Sequence, residues 1–245
     1  MSFTILVLLS VCILAVAILY SSVGHGGASG YIAVLALFSL APSAFKPTAL
    51  VLNILVAAVA AFHFTRAGHF SRRLFLPLAA TSVPFSFLGG YISLPLSACK
   101  PLIGIVLLAS AWRLFSQNKR EESVRVPPST PVALVVGAVL GFLSGLTGVG
   151  GGIFLSPLLL LLGWAKAKEA SAVAALFILV NSLSGLLGHI GSLQAVPNFV
   201  PVLAAAALGG GITGSFFGSG RLPVSGIVKA LSVALTIAGF KLLFV

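Results

Sequence analysis

The sequence predicts an all-α polytopic membrane protein made of two inverted-topology repeats, each a Gly-broken re-entrant helix pair plus three transmembrane helices. Three observations predict this fold class. Hydrophobic residues make up 59% of the 245 residues and charged residues only 7%, which is too little charge for the surface of a soluble fold. Apolar runs recur along the whole chain. A glycine-rich motif occurs at corresponding places in the two halves.

The charge composition narrows the partners that the protein can have. The chain carries 14 Lys plus Arg, three Glu and no Asp, for a net charge of +11. The cations are scattered between apolar runs, which indicates loops around a lipid bilayer and not a nucleic-acid surface. The two cysteines, Cys12 and Cys99, lack metal-ligand spacing. We therefore expect no nucleic-acid partner, no metal site and no cofactor.

The N-terminal apolar run from Phe3 to Tyr20 is predicted to be the first transmembrane segment. Because Ser, Gly and Ala follow it, the run could also be read as a signal peptide. No Lys or Arg precedes it, which argues against that reading. The same segment also has a counterpart in the second half of the chain.

The chain is predicted to contain two copies of one unit. Residues 1–115 and 131–245 are the two membrane repeats, and residues 116–130 form a polar cytoplasmic linker. Corresponding residues lie 123 to 129 positions apart. The matched pairs are Gly24-His25-Gly26-Gly27 with Gly148-Val149-Gly150-Gly151, Gly68 with Gly191, Pro77 with Pro201, Leu94-Pro95 with Leu222-Pro223, and Arg113-Leu114-Phe115 with Lys241-Leu242-Leu243-Phe244.

Each half divides into five apolar segments at its Gly, Pro and charged residues. The predicted segments are 4–22, 28–41, 47–65, 72–93 and 98–116 in the first half, and 131–147, 153–164, 168–189, 197–218 and 223–244 in the second. A level span needs about 20 apolar residues, and the second segment of each half is shorter than that. The first two segments are therefore predicted to enter and leave the membrane on one side, with the glycines at the tip.

Charge placement supports this returning pair, because Lys and Arg near short loops favour the cytoplasm. A returning pair puts ten cations on one face and three on the other, whereas a single crossing gives eight and five. The halves are then upside down relative to one another, and both chain ends are periplasmic. The ten cations are Arg66, Arg72, Arg73, Arg113, Lys119, Arg120, Arg125, Lys166, Lys168 and Arg221, and the three are Lys46, Lys100 and Lys241.

The two glycine motifs are the candidate substrate-binding elements. Unwound backbone is tolerated at membrane depth only inside protein or beside a water cavity. Glycines let several N–H groups converge on one point, and the following helix start adds the positive end of its dipole, so an anion is favoured. Close helix packing is the structural alternative, and it explains glycines such as Gly89 and Gly210. The substrate-binding glycines are predicted to be Gly24, Gly26, Gly27, Gly148, Gly150, Gly151 and Gly152.

The distribution of acidic residues disfavours several functions. Every Glu lies in the linker or at a helix start, so no carboxylate is expected inside the membrane. Proton relays and cation sites commonly use such carboxylates, although backbone carbonyls alone can bind Na⁺. The glycines also fail as a nucleotide motif, because Ser29 and Ile153 stand where G-x-G-x-x-G needs its last glycine.

Five polar side chains complete the predicted site. His25 lies inside the first motif and can donate a hydrogen bond to an oxyanion or share a proton with it. Ser22 and Thr147 adjoin the two motifs and can supply hydroxyl donors, with back-bonding to the helix as the alternative. Asn53 and Asn181 are the amides of the third segments and face either substrate or a neighbouring helix. Lys46, beside Pro47, is predicted to mark the outer boundary of its segment.

With these motifs, the sequence resembles the TauE/SafE family of sulfite and organosulfonate exporters, also called TSUP. The resemblance rests on the two G-x-G-G elements, on the Gly151-Gly152-Ile153-Phe154-Leu155-Ser156-Pro157 run, and on the duplication over nearly the whole chain. The first element departs from the second with His25 and Ala28. The resemblance implies export of a small sulfur-containing or organic anion, such as sulfite or a sulfonate, across the bacterial inner membrane.

The sequence therefore predicts an alternating-access anion transporter with one central site. The alternative is a passive channel for a small solute, which would show neither saturation nor trans-stimulation. An enzyme or an assembly subunit is a third hypothesis. Without an intramembrane carboxylate or a paired nucleophile and base, no catalytic residue is expected.

Overall fold

The computed structural model describes residues 2–38, 40, 42–92, 108, 111, 112, 115 and 127–244. These residues contain α-helices, one 3₁₀ helix at Ile190–Ala195 and one π-helix at Phe217–Arg221, and no strand. Most of the predicted segment 98–116 and of the linker lies outside them. The α-helices are α1 (Phe3–Ser21), α2 (Ala28–Leu37), α3 (Pro42–Arg66), α4 (Arg72–Tyr91), α5 (Thr130–Thr147), α6 (Gly152–Leu161), α7 (Ala167–Gly188), α8 (Val200–Phe216) and α9 (Val224–Phe244).

Six helices in the described part of the chain are long and apolar enough to cross a membrane, which confirms the all-α polytopic class. They correspond to α1, α3, α4, α5, α7 and α8, with α3 counted from Lys46 and α8 counted through Arg221. The helix α6 is apolar but has only 10 residues. The predicted short second segments are thus short helices in both halves, since α2 also has 10 residues.

Two predicted boundaries differ from the helix ends by more than a turn. The second segment was expected to end at residue 41, but α2 ends at Leu37. The third segment was expected to begin at residue 47, but α3 begins at Pro42 and carries Pro47 inside the helix. A proline removes one N–H and usually ends a helix, but transmembrane helices tolerate it because their neighbours re-satisfy the freed carbonyl. Pro77 and Pro84 sit inside α4 in the same way.

The two halves pack against each other reciprocally. In sequence position, α1 and α5 open the halves, and α4 and α8 are the fourth segments. The helix α1 packs against α8, and α4 packs against α5. The third-segment helices α3 and α7 pack together, and each also packs against the short helix of its own half. A twofold relation between the halves requires such exchanged contacts, and their inverted orientation stays a prediction.

Glycines spaced by four residues let these helix pairs approach closely. A Cβ atom on any of them would meet backbone atoms of the facing helix, so only glycine fits. On α5, Gly137, Gly141 and Gly145 face the carbonyls of Leu78, Ser82 and Ser86 of α4; on α8 and the π-helix, Gly210, Gly214 and Gly218 face the carbonyls of Leu14, Ile18 and Ser22.

The chain folds back on itself after α1 and after α5. Gly30, near the start of α2, faces Val16 of α1, which lies five residues before the end of that helix. Gly151 similarly approaches Ser144 and the Leu140 carbonyl of α5. The two glycine motifs therefore lie at bends between a long helix and a short one.

Candidate functional site

The first glycine element, residues 24–27, joins α1 to α2, and the second, residues 148–152, joins α5 to α6. Five of their glycines have positive φ, with values of 75° at Gly24, 96° at Gly27, 70° at Gly148, 80° at Gly150 and 75° at Gly151. L-residues with a side chain rarely adopt such angles, so the bends require glycine. Residues 25–27 have no regular secondary structure, as predicted for an unwound element.

The side chain of Asn53 on α3 connects the two elements. Its Oδ1 accepts a hydrogen bond of 3.2 Å from the N–H of Ala28, at the start of α2. Its Nδ2 donates to the Val149 carbonyl at 3.5 Å and to Ser182 Oγ on α7 at 2.8 Å. Gly26 and Gly150 flank the Asn53 amide so closely that neither could carry a Cβ. Asn53 is fully buried, so both elements meet inside the protein.

His25 makes a second connection between the halves. Its Nε2 lies 2.8 Å from Ser156 Oγ on α6, and both residues are 1% exposed. The other ring nitrogen, Nδ1, is buried and has no hydrogen-bond partner among the described residues. The backbone of Gly152, at the start of α6, also interacts with the imidazole.

Several backbone donors of the elements are unpaired. Gly26, Gly27 and Gly150 are buried, and none of their N–H groups donates a hydrogen bond within the described part of the chain. Gly151 caps the N-terminus of α6, and its lack of a side chain leaves that helix start without a side-chain cap. Buried amides are normally paired, and these unpaired donors lie at the starts of two helices, where backbone N–H groups can bind an anion.

The predicted hydroxyl donors bond mainly to their own helices. Ser22 Oγ donates to the Leu19 carbonyl at 2.7 Å, and Thr147 Oγ1 donates to the Leu143 carbonyl at 2.7 Å. Thr147 also accepts a 3.4 Å hydrogen bond from the Val149 N–H inside the second element. Back-bonding therefore accounts for both hydroxyl protons.

Asn181 is placed differently from Asn53. Its Nδ2 donates to Ser82 Oγ on α4 at 3.0 Å and to the Phe177 carbonyl at 2.8 Å. Its Oδ1 is buried and accepts no hydrogen bond from any described residue. These contacts connect α7 to α4 and do not reach either glycine element.

Sequence reasoning did not single out Tyr31, and it quoted Ser156 only as part of a motif. Tyr31 is fully buried, and its hydroxyl has no hydrogen-bond partner among the described residues. A Cβ on Gly27 would lie 2.9 Å from the Tyr31 Oη, so this hydroxyl borders the first element. A tyrosine one turn after a glycine motif is the signal that could have found it.

The charges near the elements are cationic. Among the described residues, the one acidic side chain is that of Glu169, in the first turn of α7. Lys46 is half-buried and runs along Gly148 of the second element. His189 caps the C-terminus of α7. Its partial burial lowers its pKa, and the positive charge of Lys46 lowers it further. No cluster of three metal-ligating side chains occurs within the described ranges.

Comparison with known proteins gives one family. The model of a family described as "Sulfite exporter TauE/SafE" matches residues 9–242. A probable membrane transporter protein of Sinorhizobium fredii is 40% identical over 240 residues, covering 96% of this chain and 97% of that protein. A probable membrane transporter protein of Methanocaldococcus jannaschii is 25% identical, covering 58% of this chain and 54% of its own. No solved structure matches the chain significantly.

Proposed function

Because the chain belongs to the TauE/SafE family of sulfite exporters, it is a multi-pass membrane transporter and not an enzyme, and we propose that its cargo is a small oxyanion. Sulfite, sulfonates and related organic anions are the cargo class. The central binding site is formed by the two glycine elements and Asn53. The protein works in the bacterial inner membrane, with both chain ends in the periplasm.

The unpaired amides around Asn53 carry this proposal. Gly26, Gly27 and Gly150 are buried, and their N–H groups donate no hydrogen bond within the described residues. Gly26 and Gly150 approach opposite ends of the Asn53 amide, its Oδ1 and its Nδ2. An oxyanion with several oxygens can accept hydrogen bonds from several converging donors, and a helix start adds favourable electrostatic potential.

A carrier explains the burial of the site better than a channel. Residues 20–31 are all buried, and His25 of the first half is within hydrogen-bond distance of Ser156 of the second. A continuous aqueous path would have to pass these contacts. In the proposed cycle, the contacts of His25 with Ser156 and of Asn53 with Val149 open and close as the site faces alternate sides.

The direction of transport follows from the charge of the cargo. An inside-negative membrane potential favours the exit of an anion by about 2.3 kcal/mol per charge per 100 mV. Export of a monoanion or dianion therefore needs no coupled ion. A proton bound at His25 would reduce this driving force, because it cancels one negative charge.

Transport assays with purified protein in liposomes test this function. The probes are sulfite, sulfoacetate and acetate, each loaded inside and measured outside. We expect saturable efflux of at least one sulfur oxyanion, with acceleration when the same anion is present on the opposite side. Efflux of none of the three above that of empty liposomes would contradict the proposal. Efflux without saturation or trans-stimulation would indicate a channel.

Substitution of Gly26 tests the site itself. A methyl group there would overlap the Asn53 amide, so Gly26→Ala should lower the transport rate about tenfold or more per folded protein. Gly209→Ala is the matched control, because nothing lies within 4 Å of a Cβ at that position. Size-exclusion chromatography and thermal unfolding in detergent measure the folded fraction. Equal transport by the two variants would remove the first element from the site.

A further inference from the structure

Lys46 is a half-buried cation in the first turns of α3. Its side chain runs along the second glycine element: a Cβ on Gly148 would lie 2.7 Å from Lys46 Cγ and 3.5 Å from both Cδ and Cε. Lys46 is the first residue of the apolar span Lys46–Arg66, and a partly buried ionisable side chain at the edge of a span commonly marks a substrate path. The partner of Lys46 therefore needs an explanation.

No described carboxylate can serve as that partner. Lys46 acts electrostatically on His189, at the C-terminus of α7, and so it lies near that end of the helix. Glu169 is in the first turn of α7, at the opposite end of a helix of 22 residues. At the α-helical rise this separates the two ends by roughly 30 Å, which is about four Debye lengths in physiological salt. The groups that the described residues place beside Lys46 are thus the backbone of the second glycine element and the imidazole of His189.

The corresponding place in the other half carries no charge. Gly24 and Gly148 lie 124 positions apart, and each packs against the third-segment helix of the opposite half. Gly148 faces Lys46 on α3, whereas Gly24 faces the backbone of Ser171 on α7, and these two residues lie 125 positions apart. The two ends of the site are therefore alike in backbone and different in charge.

We propose that Lys46 is a substrate-binding residue whose ammonium is the counter-ion of a small oxyanion at the second glycine element. This inference rests on the proposed function and extends it. The anion pairs with Lys46 at the end of the site next to Gly148 and exchanges this contact for the amides of Gly150 and Gly26 further in. Gly24 faces Ser171, and the lysine one turn before it, Lys168, already donates to two backbone carbonyls, so the pairing belongs to one end only.

Lys168 provides a matched control for Lys46. It is also half-buried and also lies at the start of a third-segment helix, where it donates hydrogen bonds to the carbonyls of Ser219 at 3.4 Å and Gly220 at 3.3 Å. Its ammonium is satisfied by backbone carbonyls. The residues that accept its hydrogen bonds directly follow Gly218, which packs against Ser22 next to the first glycine element. Comparing the loss of one charge with the loss of the other therefore separates an effect on the substrate from a general effect of losing a lysine.

The first experiment measures the Kd of sulfite by calorimetry on purified protein and the KM of sulfite transport in liposomes. Lys46→Met should raise both constants about tenfold, as the loss of one partly screened charge contact implies, whereas Lys46→Arg should stay within about threefold. Lys168→Met should leave both unchanged. Added inert salt should weaken sulfite binding to the wild type more than to Lys46→Met, because only the wild type has the charge pair to be screened.

A second variant keeps the test decisive if Lys46→Met does not fold. In a background with Cys12→Ala and Cys99→Ala, Lys46→Cys is treated with an aminoethyl or a sulfonatoethyl methanethiosulfonate reagent. The aminoethyl adduct should restore sulfite binding, and the anionic adduct should not. Equal binding by both adducts, or an unchanged Kd in Lys46→Met, would overturn the role of Lys46. If Lys46 has no such role but the wild type still transports sulfite, the proposed function stands. If the wild type transports no anion at all, the proposed function itself is refuted.

Discussion

Asn53 and Asn181 show how one residue type takes two roles at corresponding places. Both are fully buried amides in the third segment of their half. Asn53 bonds to Ala28 and Val149 of the two glycine elements, whereas Asn181 bonds to Ser82 and to its own helix. Position in the sequence predicted that both face protein and not lipid. The partner of each depends on which helix lies opposite, and that is a property of the tertiary structure.

A charge at Asn53 should block anion transport. Asn53→Asp keeps the shape of the side chain but places a carboxylate between Gly26 and Gly150. There the carboxylate repels an anion, and it accepts hydrogen bonds from the backbone amides that are proposed to bind the anion. We expect at least about a hundredfold loss of sulfite transport per folded protein, equivalent to roughly 3 kcal/mol.

Asn181→Asp is the matched variant, because it places the same charge in a site that touches neither element. Its transport rate, corrected for the folded fraction, should stay well above that of Asn53→Asp. Similar losses in the two variants would show that the carboxylate acts through stability and not through the anion.

The residues of the candidate site were predictable to different degrees. The glycines and Asn53 stand out because they recur at corresponding places in the two halves, and His25 stands out because a polar residue is rare in an apolar run. Tyr31 and Ser156 do not stand out, since Tyr and Ser are ordinary in membrane helices. Their contacts with Gly27 and His25 come from segments of the chain that meet only in the folded protein.

At the scale of elements, four-residue glycine spacing determines how the helix pairs pack. Gly141 of α5 faces the Ser82 carbonyl of α4, and Gly214 of α8 faces the Ile18 carbonyl of α1. Backbone-to-backbone contact replaces side-chain interdigitation at these places, because lipid provides no hydrophobic drive for helices to associate. The pairs between α1 and α8 and between α4 and α5 thereby join the two halves.

A large residue at this contact should separate α4 from α5. Gly141→Leu would drive a side chain into the Ser82 backbone and should destabilise the protein by about 1–3 kcal/mol, as overpacking typically does. Thermal unfolding in detergent, followed by intrinsic fluorescence, measures the loss as a lower midpoint. Gly209→Leu is the control, because that exposed position has open space, and an equal shift in both variants would contradict the packing role of Gly141.

Local features at the ends of the helices were harder to predict. No sequence pattern indicated the π-helix at Phe217–Arg221, whose Ser219 carbonyl accepts hydrogen bonds from His69 and Lys168. Such wide turns depend on the donors that happen to face them. The early start of α3 at Pro42 has the same cause, since the surroundings of Pro47 decide whether the helix continues through it.

At the scale of the whole molecule, the predicted topology makes a simple test available. If the halves are inverted and both ends are periplasmic, alkaline phosphatase fused after Phe244 should be active in a bacterial host, and the same enzyme fused after Gly68 should be inactive. The phosphatase folds only outside the cytoplasm, so colony colour reports the side of each fusion. Activity at Gly68 together with inactivity at Phe244 would reverse the orientation, and equal activity at both would exclude the inverted arrangement.

The overall class was accessible from composition, whereas the inverted relation between the halves stays a prediction. With 7% charged residues, the chain has too few charges to cover the surface of a soluble protein. A duplicated pattern of long and short apolar runs predicts a duplicated structure. The reciprocal packing of α1 with α8 and of α4 with α5 was not predicted, because any pairing of apolar helices satisfies hydropathy equally well. Glycine spacing is the pattern that distinguishes these pairings.

The difference between Lys46 at one glycine element and Ser171 at the other cannot set the direction of net transport. A fixed charge lowers the energy of a bound anion by the same amount whichever way the anion came, so microscopic reversibility forbids it from acting as a one-way valve. About 60 mV across the membrane suffices to hold a tenfold concentration ratio of a monoanion. In its proposed role, Lys46 therefore sets the anion concentration at which the carrier becomes occupied, and the membrane voltage sets the direction of net transport.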